Sequence, residues 1–253
     1  SVHGICGNFF YDTEVDQEIM MNDPSLLGAP TIFSAFEREG ARIAVITAKD
    51  KLRKLLGHGL TFGQEGSVCF SAEKADELSL EEHGYENIIQ NTGLGLPSVY
   101  SADLSEFVFA AGVKLLELTK VDLMYLSTTD YIQHKFAPGS KGANEFYKMM
   151  DSYWAQIDAL GANLILTADH GMNPKYDSLG NPDVIYLQDF FDKVIGDNEA
   201  RVILPITDPY VVHHGALGSF ATVYLPTNMN VGSIIKDLLN VDGILSVLTC
   251  EEA

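Results

Sequence analysis

Two short apolar segments, each followed closely by a carboxylate and an imidazole, constrain the fold of this chain most strongly. Apolar runs of this length are typical of strands buried on both faces of a parallel sheet. Parallel strands deliver their last residues to the carboxyl edge of the sheet, where open α/β proteins bind ligands. The sequence therefore predicts an α/β fold with a mostly parallel sheet flanked by helices. The two segments and the side chains that follow them are residues 123–129 with Asp130 and His134, and residues 163–168 with Asp169 and His170.

These four polar side chains have the chemistry of metal ligands, because Zn²⁺ accepts carboxylate oxygen and imidazole nitrogen. If the chain turns into a helix after the first strand, Asp130 and His134 share one helix face and can chelate one ion. Asp169 and His170 are adjacent, so we expect a tight turn that Gly171 permits, and a second ion beside the first. The alternative for either pair alone is a helix-capping Asp with an exposed His.

A third predicted strand, residues 42–47, is followed by lysines instead of acidic residues. In an extended chain Lys49 and Lys51 lie on the same side and could hold an anion together. The alternative is that they are solvated lysines at the start of a helix over residues 51–56. Their position favours anion binding, and we expect all three strand ends to converge on one site.

Helices are predicted between these strands, in the order typical of a parallel sheet. Residues 101–120 and 146–160 have apolar side chains at helical spacing, and each segment precedes a ligand-bearing strand. A shorter helix is predicted to begin at Pro30 and to end at Gly40. We expect its inner face to carry Ile32, Phe33 and Phe36.

The sequence character changes after the second ligand pair. Residues 175–183 are a turn cluster, and beyond them short strands are predicted at 184–187, 201–204 and 220–225, with a helix at 234–239. We therefore place a boundary near Asn181. Residues 1–180 are predicted to form a metal-binding α/β core whose N-terminal part is missing. Residues 181–253 are predicted to form a smaller inserted α+β cap domain, whose C-terminal part and returning core segment are missing.

The charge of the chain limits its partners. Its 35 acidic residues against 16 Lys and Arg give a net charge of −19, which argues against nucleic acid and anionic membrane. A small anionic substrate stays compatible, because divalent cations and lysines can make one pocket positive. The three cysteines show no paired spacing, and no run of about 18 apolar residues occurs. A cytoplasmic location is predicted.

Several motifs resemble those of a known superfamily. Ser-Thr-Thr-Asp-Tyr-Ile-Gln-His at 127–134 and Leu-Thr-Ala-Asp-His-Gly at 166–171 resemble the two-metal motifs of the alkaline phosphatase superfamily. Residues 2–12, 45–51 and 207–218 more narrowly resemble the phosphonoacetate hydrolases within it. The resemblance implies an alkaline phosphatase-like fold and zinc-dependent hydrolysis of the carbon–phosphorus bond of phosphonoacetate to acetate and phosphate.

The resemblance also implies roles for individual residues. In this family two zinc ions, the phosphoryl group and the substrate carboxylate each have their own ligands. The matching positions are Asp130 and His134 for one zinc, Asp169 and His170 for the other, Asn8 for the phosphoryl oxygens, and Lys49 and Lys51 for the carboxylate.

The resemblance further implies residues that this sequence does not contain. The family's threonine nucleophile and one aspartate ligand lie before Ser1, and its last histidine ligand lies beyond Ala253. No catalytic nucleophile is therefore assigned here, and we expect weak metal binding and little turnover from these residues alone. His213 and His214 could complete a metal site by pattern, but the resemblance places their segment in the cap domain.

Two other functions stay open. A phosphodiesterase or phosphomutase could use the same scaffold, although an ester leaving group does not require the paired lysines. A non-catalytic metal-binding module is compatible with the absent threonine. The expected partner is a small anionic substrate, and the assembly state is open, with a homodimer as one alternative.

Overall fold

The computed structural model describes residues 3–205 and 219–253. The chain divides into two compact units, one of which is Asn22–Met172. The other combines Ser1–Met21 with Asn173–Ala253. These bounds differ from a division at Asn181, because the first strands associate with the C-terminal part of the chain. The roles of metal-binding core and cap stay predictions.

The elements follow one another along the chain as strands and helices of mixed length. The strands are β1 (Phe9–Asp12), β2 (Gln17–Met20), β3 (Ile43–Thr47), β4 (Val68–Ser71), β5 (Leu123–Ser127), β6 (Arg201–Ile203) and β7 (Thr222–Tyr224). The helices are α1 (Ile32–Arg38), α2 (Asp50–Leu56), α3 (Leu80–His83), α4 (Ile88–Thr92), α5 (Asp103–Leu118), α6 (Tyr131–Lys135), α7 (Lys141–Ala159), α8 (Leu187–Ile195) and α9 (Val231–Leu238). Within the described ranges, no helix combines the length and the apolar character needed to span a bilayer.

A three-stranded parallel sheet in the order β4-β3-β5 forms the centre of the unit Asn22–Met172. This sheet and its helices confirm the predicted α/β class. Every residue of β3 and β4 is buried, as expected for a strand covered on both faces. The pattern predicted β3, but it did not predict β4, whose four residues follow a glycine-rich loop and are too few to show a period.

Helix α5 covers one face of this sheet. Its buried residues pack with the apolar side chains of β3 and β4 in one cluster. Gly112 lets the helix approach β5, because a Cβ atom there would lie 2.9 Å from Leu126 Cδ1. The predicted helix and most of its stripe are confirmed, but Leu118 at its end is exposed. The buried members of the stripe are Leu104, Phe107, Val108, Ala111 and Leu115.

Helix α1 buries less of its apolar face than predicted. Thr31 caps it by accepting a hydrogen bond from the Ser34 amide at 3.1 Å. Phe33 packs with Ile43 and other residues of the second core cluster. Ile32 and Phe36, however, are 64% and 47% exposed, so their predicted inward orientation is wrong. A helix of two turns faces β3 with one side, and Phe33 lies on that side.

The two ligand-bearing segments are less buried than the pattern indicated. Among the described strands β5 pairs with β3 alone, and its residues are half-buried or, at Tyr125, exposed. Residues 162–168 have no regular secondary structure, and Ile165 is 88% exposed. The first predicted strand is confirmed as β5, but its predicted burial on both faces is wrong. The second predicted strand is wrong, because residues 162–168 do not form one. Within the described residues neither has the second neighbouring strand that burial on both sides requires.

The second unit contains two antiparallel strand pairs, β1-β2 and β6-β7. The Asn8 amide donates to the Pro205 carbonyl at 2.6 Å, and the Tyr11 amide donates to the Tyr224 hydroxyl at 3.3 Å. These bonds connect the β1-β2 pair with the C-terminal part of the same unit. α8 and α9 bury Phe191 and Ile234 in a separate small core. The strand predicted at 184–187 is wrong, because residues 184–186 have no regular secondary structure and α8 begins at Leu187.

We expect the α5 contact with the sheet to dominate the stability of its unit. Leu104→Ala should lower the free energy of unfolding by about 2–5 kcal/mol, since it leaves a cavity in a closed core. Leu118→Ala is the matched control on the same helix and should stay within about 0.5 kcal/mol of the parent. Urea unfolding followed by circular dichroism measures both. Equal losses in the two variants would contradict the assignment of the buried face.

The three cysteines should differ in reactivity. Cys6 and Cys250 are exposed, whereas Cys69 is buried in β4 and its thiol donates to the Arg53 carbonyl at 3.4 Å. Burial raises the pKa of the Cys69 thiol to about 12, so it holds almost no thiolate at neutral pH. We expect a thiol reagent at pH 8 to modify two thiols in the native protein and the third only after denaturation. Rapid modification of all three in the native state would contradict this expectation.

Candidate metal and anion site

The first Asp–His pair lies immediately after β5. The Thr129 amide donates to the buried Ser105 hydroxyl of α5 at 3.2 Å, which fixes the loop that leaves the strand. Asp130 then takes the N-cap position of α6. One turn later His134 Nε2 lies 2.9 Å from Asp130 Oδ2. The predicted helix after the strand, with both side chains on one face, is confirmed.

The second pair, Asp169 and His170, lies on an exposed bend. The His170 amide donates to Asp169 Oδ1 at 3.0 Å, and His170 Nδ1 donates to the Gly171 carbonyl at 2.8 Å. This local bonding points His170 Nε2 toward Asp169 Oδ2, 3.6 Å away. The Asp169 side chain is 90% exposed, because the preceding segment has no strand beside it in the described residues.

Electrostatics connect the two pairs. The hydrogen bond to the Gly171 carbonyl raises the pKa of His170, and the negative charges of Asp169 and then Asp130 raise it further. Asp130 therefore acts on His170 across the space between the pairs. A carboxylate that stabilises an added proton on an imidazole also favours a cation in the same place.

The four side chains are suitable types of zinc ligand, but each pair supplies fewer ligands than a zinc site uses. Each pair offers one carboxylate and one imidazole, which are common zinc ligands. Zinc sites use three or four protein ligands, and among the described residues no three His, Cys, Asp or Glu side chains gather into one metal-binding group. The assignment of Asp130, His134, Asp169 and His170 as ligands of two ions therefore stays a prediction.

The lysine pair follows β3 at the same edge of the sheet. Thr47 is paired in register with Ser127 of β5, so Lys49 and Asp130 both follow the carboxyl ends of neighbouring strands. Lys49 precedes α2 in an extended conformation, but Lys51 lies in the first turn of α2, so the expectation of an extended chain through both lysines is wrong. Joint binding of an anion by the two lysines stays a prediction. Two of the three predicted strand ends thus meet at one edge. The third is outside the sheet, because residues 162–168 form no strand.

A half-buried charge network supports the helix that carries Lys51. Asp50 Oδ1 accepts hydrogen bonds from Arg53 Nε at 2.6 Å and from the Ser71 hydroxyl of β4 at 3.1 Å. Burial acts to raise the pKa of Asp50, but the Arg53 guanidinium and the Ser71 hydroxyl hold it below its usual range. Asp50 is therefore a fixed negative charge that anchors α2 to the sheet.

The remaining predicted site residues are Asn8, which belongs to the second unit, and two histidines that lie outside the described residues. Asn8 belongs to the second unit, where its amide bonds to Pro205 and its carbonyl accepts from the Met21 amide at 2.8 Å. Its role with the phosphoryl group stays a prediction. His213 and His214 lie outside the described residues. Sequence reasoning missed Ser105, although a serine within the apolar face of α5 was a visible signal.

Comparisons with known proteins give matches that extend over most or all of this chain. Residues 1–228 match the family described as type I phosphodiesterase / nucleotide pyrophosphatase. The chain is 59% identical, with a TM-score of 0.94, to crystal structures of phosphonoacetate hydrolase from Sinorhizobium meliloti 1021 in complex with phosphonoformate and with phosphonoacetate. The match covers 100% of this chain and 61% of that protein, so this chain spans about three fifths of its length.

We expect the two Asp–His pairs to contribute separately to metal binding. Asp130→Ala and Asp169→Ala should each weaken zinc binding by at least about 10-fold, because even residues that only orient ligands have effects of this size. Asp151→Ala, an exposed position on α7, is the control and should retain the parent zinc content. Elemental analysis of dialysed protein measures the bound metal. Unchanged zinc in both site variants would refute the ligand assignment.

Proposed function

Because the chain belongs to the type I phosphodiesterase / nucleotide pyrophosphatase family, we propose that the complete gene product hydrolyses the carbon–phosphorus bond of phosphonoacetate. In the net reaction one water molecule supplies the hydroxyl that ends on phosphorus and the proton that replaces phosphorus on the methylene carbon, so that phosphate and acetate are formed. The observation that carries the proposal is the 59% identity over the whole chain to a phosphonoacetate hydrolase crystallised with phosphonoacetate.

The chemistry of this reaction explains the need for lysines. Carbon is a poor leaving group, but a carbon next to a carboxylate can depart with its charge delocalised onto the carboxylate oxygens. Cations fixed beside those oxygens stabilise the transition state more than the ground state. In the proposal Lys49 and Lys51 bind the substrate carboxylate, and their ammonium groups act as point charges for the developing negative charge.

The opposite end of the substrate is assigned to the acidic pairs and to Asn8. Asp130 with His134 and Asp169 with His170 would hold two zinc ions, and Asn8 would donate to the phosphoryl oxygens. Zinc ions in such a site lower the pKa of the attacking group and neutralise charge on the phosphoryl oxygens. The hydrogen bond of Thr129 to Ser105 supports this assignment, since it orients the loop that carries Asp130.

The proposal also covers the binding partners and the cellular location of the protein. A small dianion is the expected ligand, while the net charge of −19 disfavours nucleic acid and anionic membranes. A homodimer is one alternative for the assembly. A cytoplasmic location is supported by the cysteines, all three of which are free thiols.

A phosphodiesterase is the second candidate, because the matched family is described by that activity. The two candidates differ in what the leaving group requires. An alkoxide or phenoxide leaving group needs no cationic site for a carboxylate, so the pair Lys49 and Lys51 would have no role in it. The lysines therefore favour phosphonoacetate.

Parallel assays of the complete gene product loaded with zinc test the proposal. Phosphate release from phosphonoacetate should exceed nitrophenol release from bis(4-nitrophenyl) phosphate in kcat/KM. The opposite order would favour the phosphodiesterase. Absence of phosphate release from phosphonoacetate by zinc-loaded protein would refute the proposed function.

We expect Lys49→Ala to separate substrate binding from metal binding. Loss of a charge-assisted contact to the carboxylate should raise the KM for phosphonoacetate about 10- to 100-fold. Zinc content should be unchanged, since an ammonium group is not a metal ligand. Lys114→Ala is the control, because Lys114 pairs with Glu117 at 2.7 Å on α5. A parent-like KM in Lys49→Ala would contradict the carboxylate role.

A further inference from the structure

We propose that Glu73 and Tyr100 are positioning residues that hold Lys49 in place for the substrate carboxylate. The inference rests on the proposed function. It adds two residues that precede or follow other elements of the sheet unit and that do not themselves contact substrate. Glu73 fixes the backbone at Lys49, and Tyr100 fixes its ammonium group.

Glu73 binds the chain on both sides of Lys49. Its amide donates to the Ala48 carbonyl at 3.0 Å, and its carboxylate Oε2 accepts from the Asp50 amide at 2.9 Å. The second bond matters because Lys49 is the N-cap residue of α2 and makes no side-chain cap bond. Glu73, which follows β4, thus supplies from a neighbouring strand the cap that the local sequence lacks.

A third hydrogen bond, from a residue of β3, also restrains the backbone of Lys49. The buried Thr47 hydroxyl donates to the Lys49 carbonyl at 2.9 Å. The residue before Lys49, its own carbonyl and the residue after it are therefore all bonded to the ends of β3 and β4. The backbone of Lys49 therefore has little conformational freedom, although Lys49 lies in the connection between β3 and α2.

Tyr100 contacts the other end of the same side chain. The Lys49 ammonium nitrogen lies over the Tyr100 ring, 5.4 Å from its centroid. This is the separation at which an ammonium group is attracted to an aromatic face. Tyr100 lies in the turn before α5 and is 51% exposed, so its ring contributes little to the core.

Holding Lys49 in advance matters because lysine has a long, flexible side chain. A free lysine loses rotamer freedom when it binds a carboxylate, and that loss reduces affinity. A backbone fixed by Glu73 and an ammonium group held over Tyr100 lower this loss before substrate arrives. The aromatic face attracts the cation without neutralising it.

The test separates positioning from general stability by varying both the residue and the ligand. Tyr100→Leu removes the aromatic face, and Tyr100→Phe retains it. Glu73→Ala removes the acceptor for the Asp50 amide, and Glu73→Gln retains one. Tyr147→Leu, an exposed tyrosine of α7 that contacts Phe146, is the matched control. Calorimetric titration of the complete, zinc-loaded gene product uses phosphonoformate, which has a carboxylate, and methylphosphonate, which has none.

We expect Tyr100→Leu to weaken phosphonoformate binding about 2- to 5-fold, the size of an exposed cation–π contact. Glu73→Ala should also weaken phosphonoformate binding. Methylphosphonate affinity should be unchanged, and Tyr100→Phe and Glu73→Gln should restore the parent value. For turnover, the KM for phosphonoacetate should rise in Tyr100→Leu while zinc content and melting temperature stay at parent values.

Several outcomes would overturn the inference. Parent-like phosphonoformate affinity in both Tyr100→Leu and Glu73→Ala, while Lys49→Ala is impaired, refutes positioning and leaves the proposed function intact. Equal weakening of both ligands together with a lower melting temperature assigns Glu73 a structural role only. Phosphonoformate binding without phosphate release from phosphonoacetate refutes the proposed function but not the positioning. If the parent protein does not bind phosphonoformate, the carboxylate site and its positioning residues are both refuted.

Discussion

The in-register parallel pairing of β3 with β4 and β5 is the constraint on which the candidate site depends. Thr47 lies opposite Ser71 on one side and Ser127 on the other. The pairing continues past the strands, since the Ala48 amide bonds to the Ser127 carbonyl at 2.9 Å and the Ala72 amide to the Thr47 carbonyl at 2.8 Å. Three chain segments therefore leave the sheet at one level, carrying Lys49, Glu73 and Asp130 to the same edge.

That pairing is compatible with the proposed binding of a small dianion by a strongly acidic chain. The net charge of −19 describes the whole chain, whereas the proposed site depends on a few groups whose backbones are fixed by the sheet. Asp50 contributes by pairing internally with Arg53 at 2.6 Å, so its charge anchors α2. The lysines on either side of it are then held by the sheet edge and the helix start.

The second Asp–His pair illustrates the limit of local structure. Bonds within residues 169–171 orient the His170 ring, and Asp130 acts on its charge, but the segment before it forms no strand in the described part of the chain. An apolar run becomes a strand only when neighbouring strands accept its backbone hydrogen bonds. Residues 162–168 have the composition of a buried strand and the exposure of a loop, which is why Asp169 lies open to solvent.

The sequence by itself determined the elements with a clear period or a clear stop signal: α5, α7, the buried strand β3, and the helical turn that brings His134 beside Asp130. It also predicted a ligand chemistry from the Asp, His and Lys residues that follow apolar segments, and that chemistry stays a prediction. Only the tertiary structure decided which apolar faces are covered, so that Phe33 is buried while Ile32 and Phe36 are not. It also decided that Glu73 and Tyr100 meet Lys49, and that Ser105 fixes the loop before Asp130. The reason is that period and propensity describe a segment's own geometry, whereas burial and hydrogen-bond partners are set by segments far away in the chain.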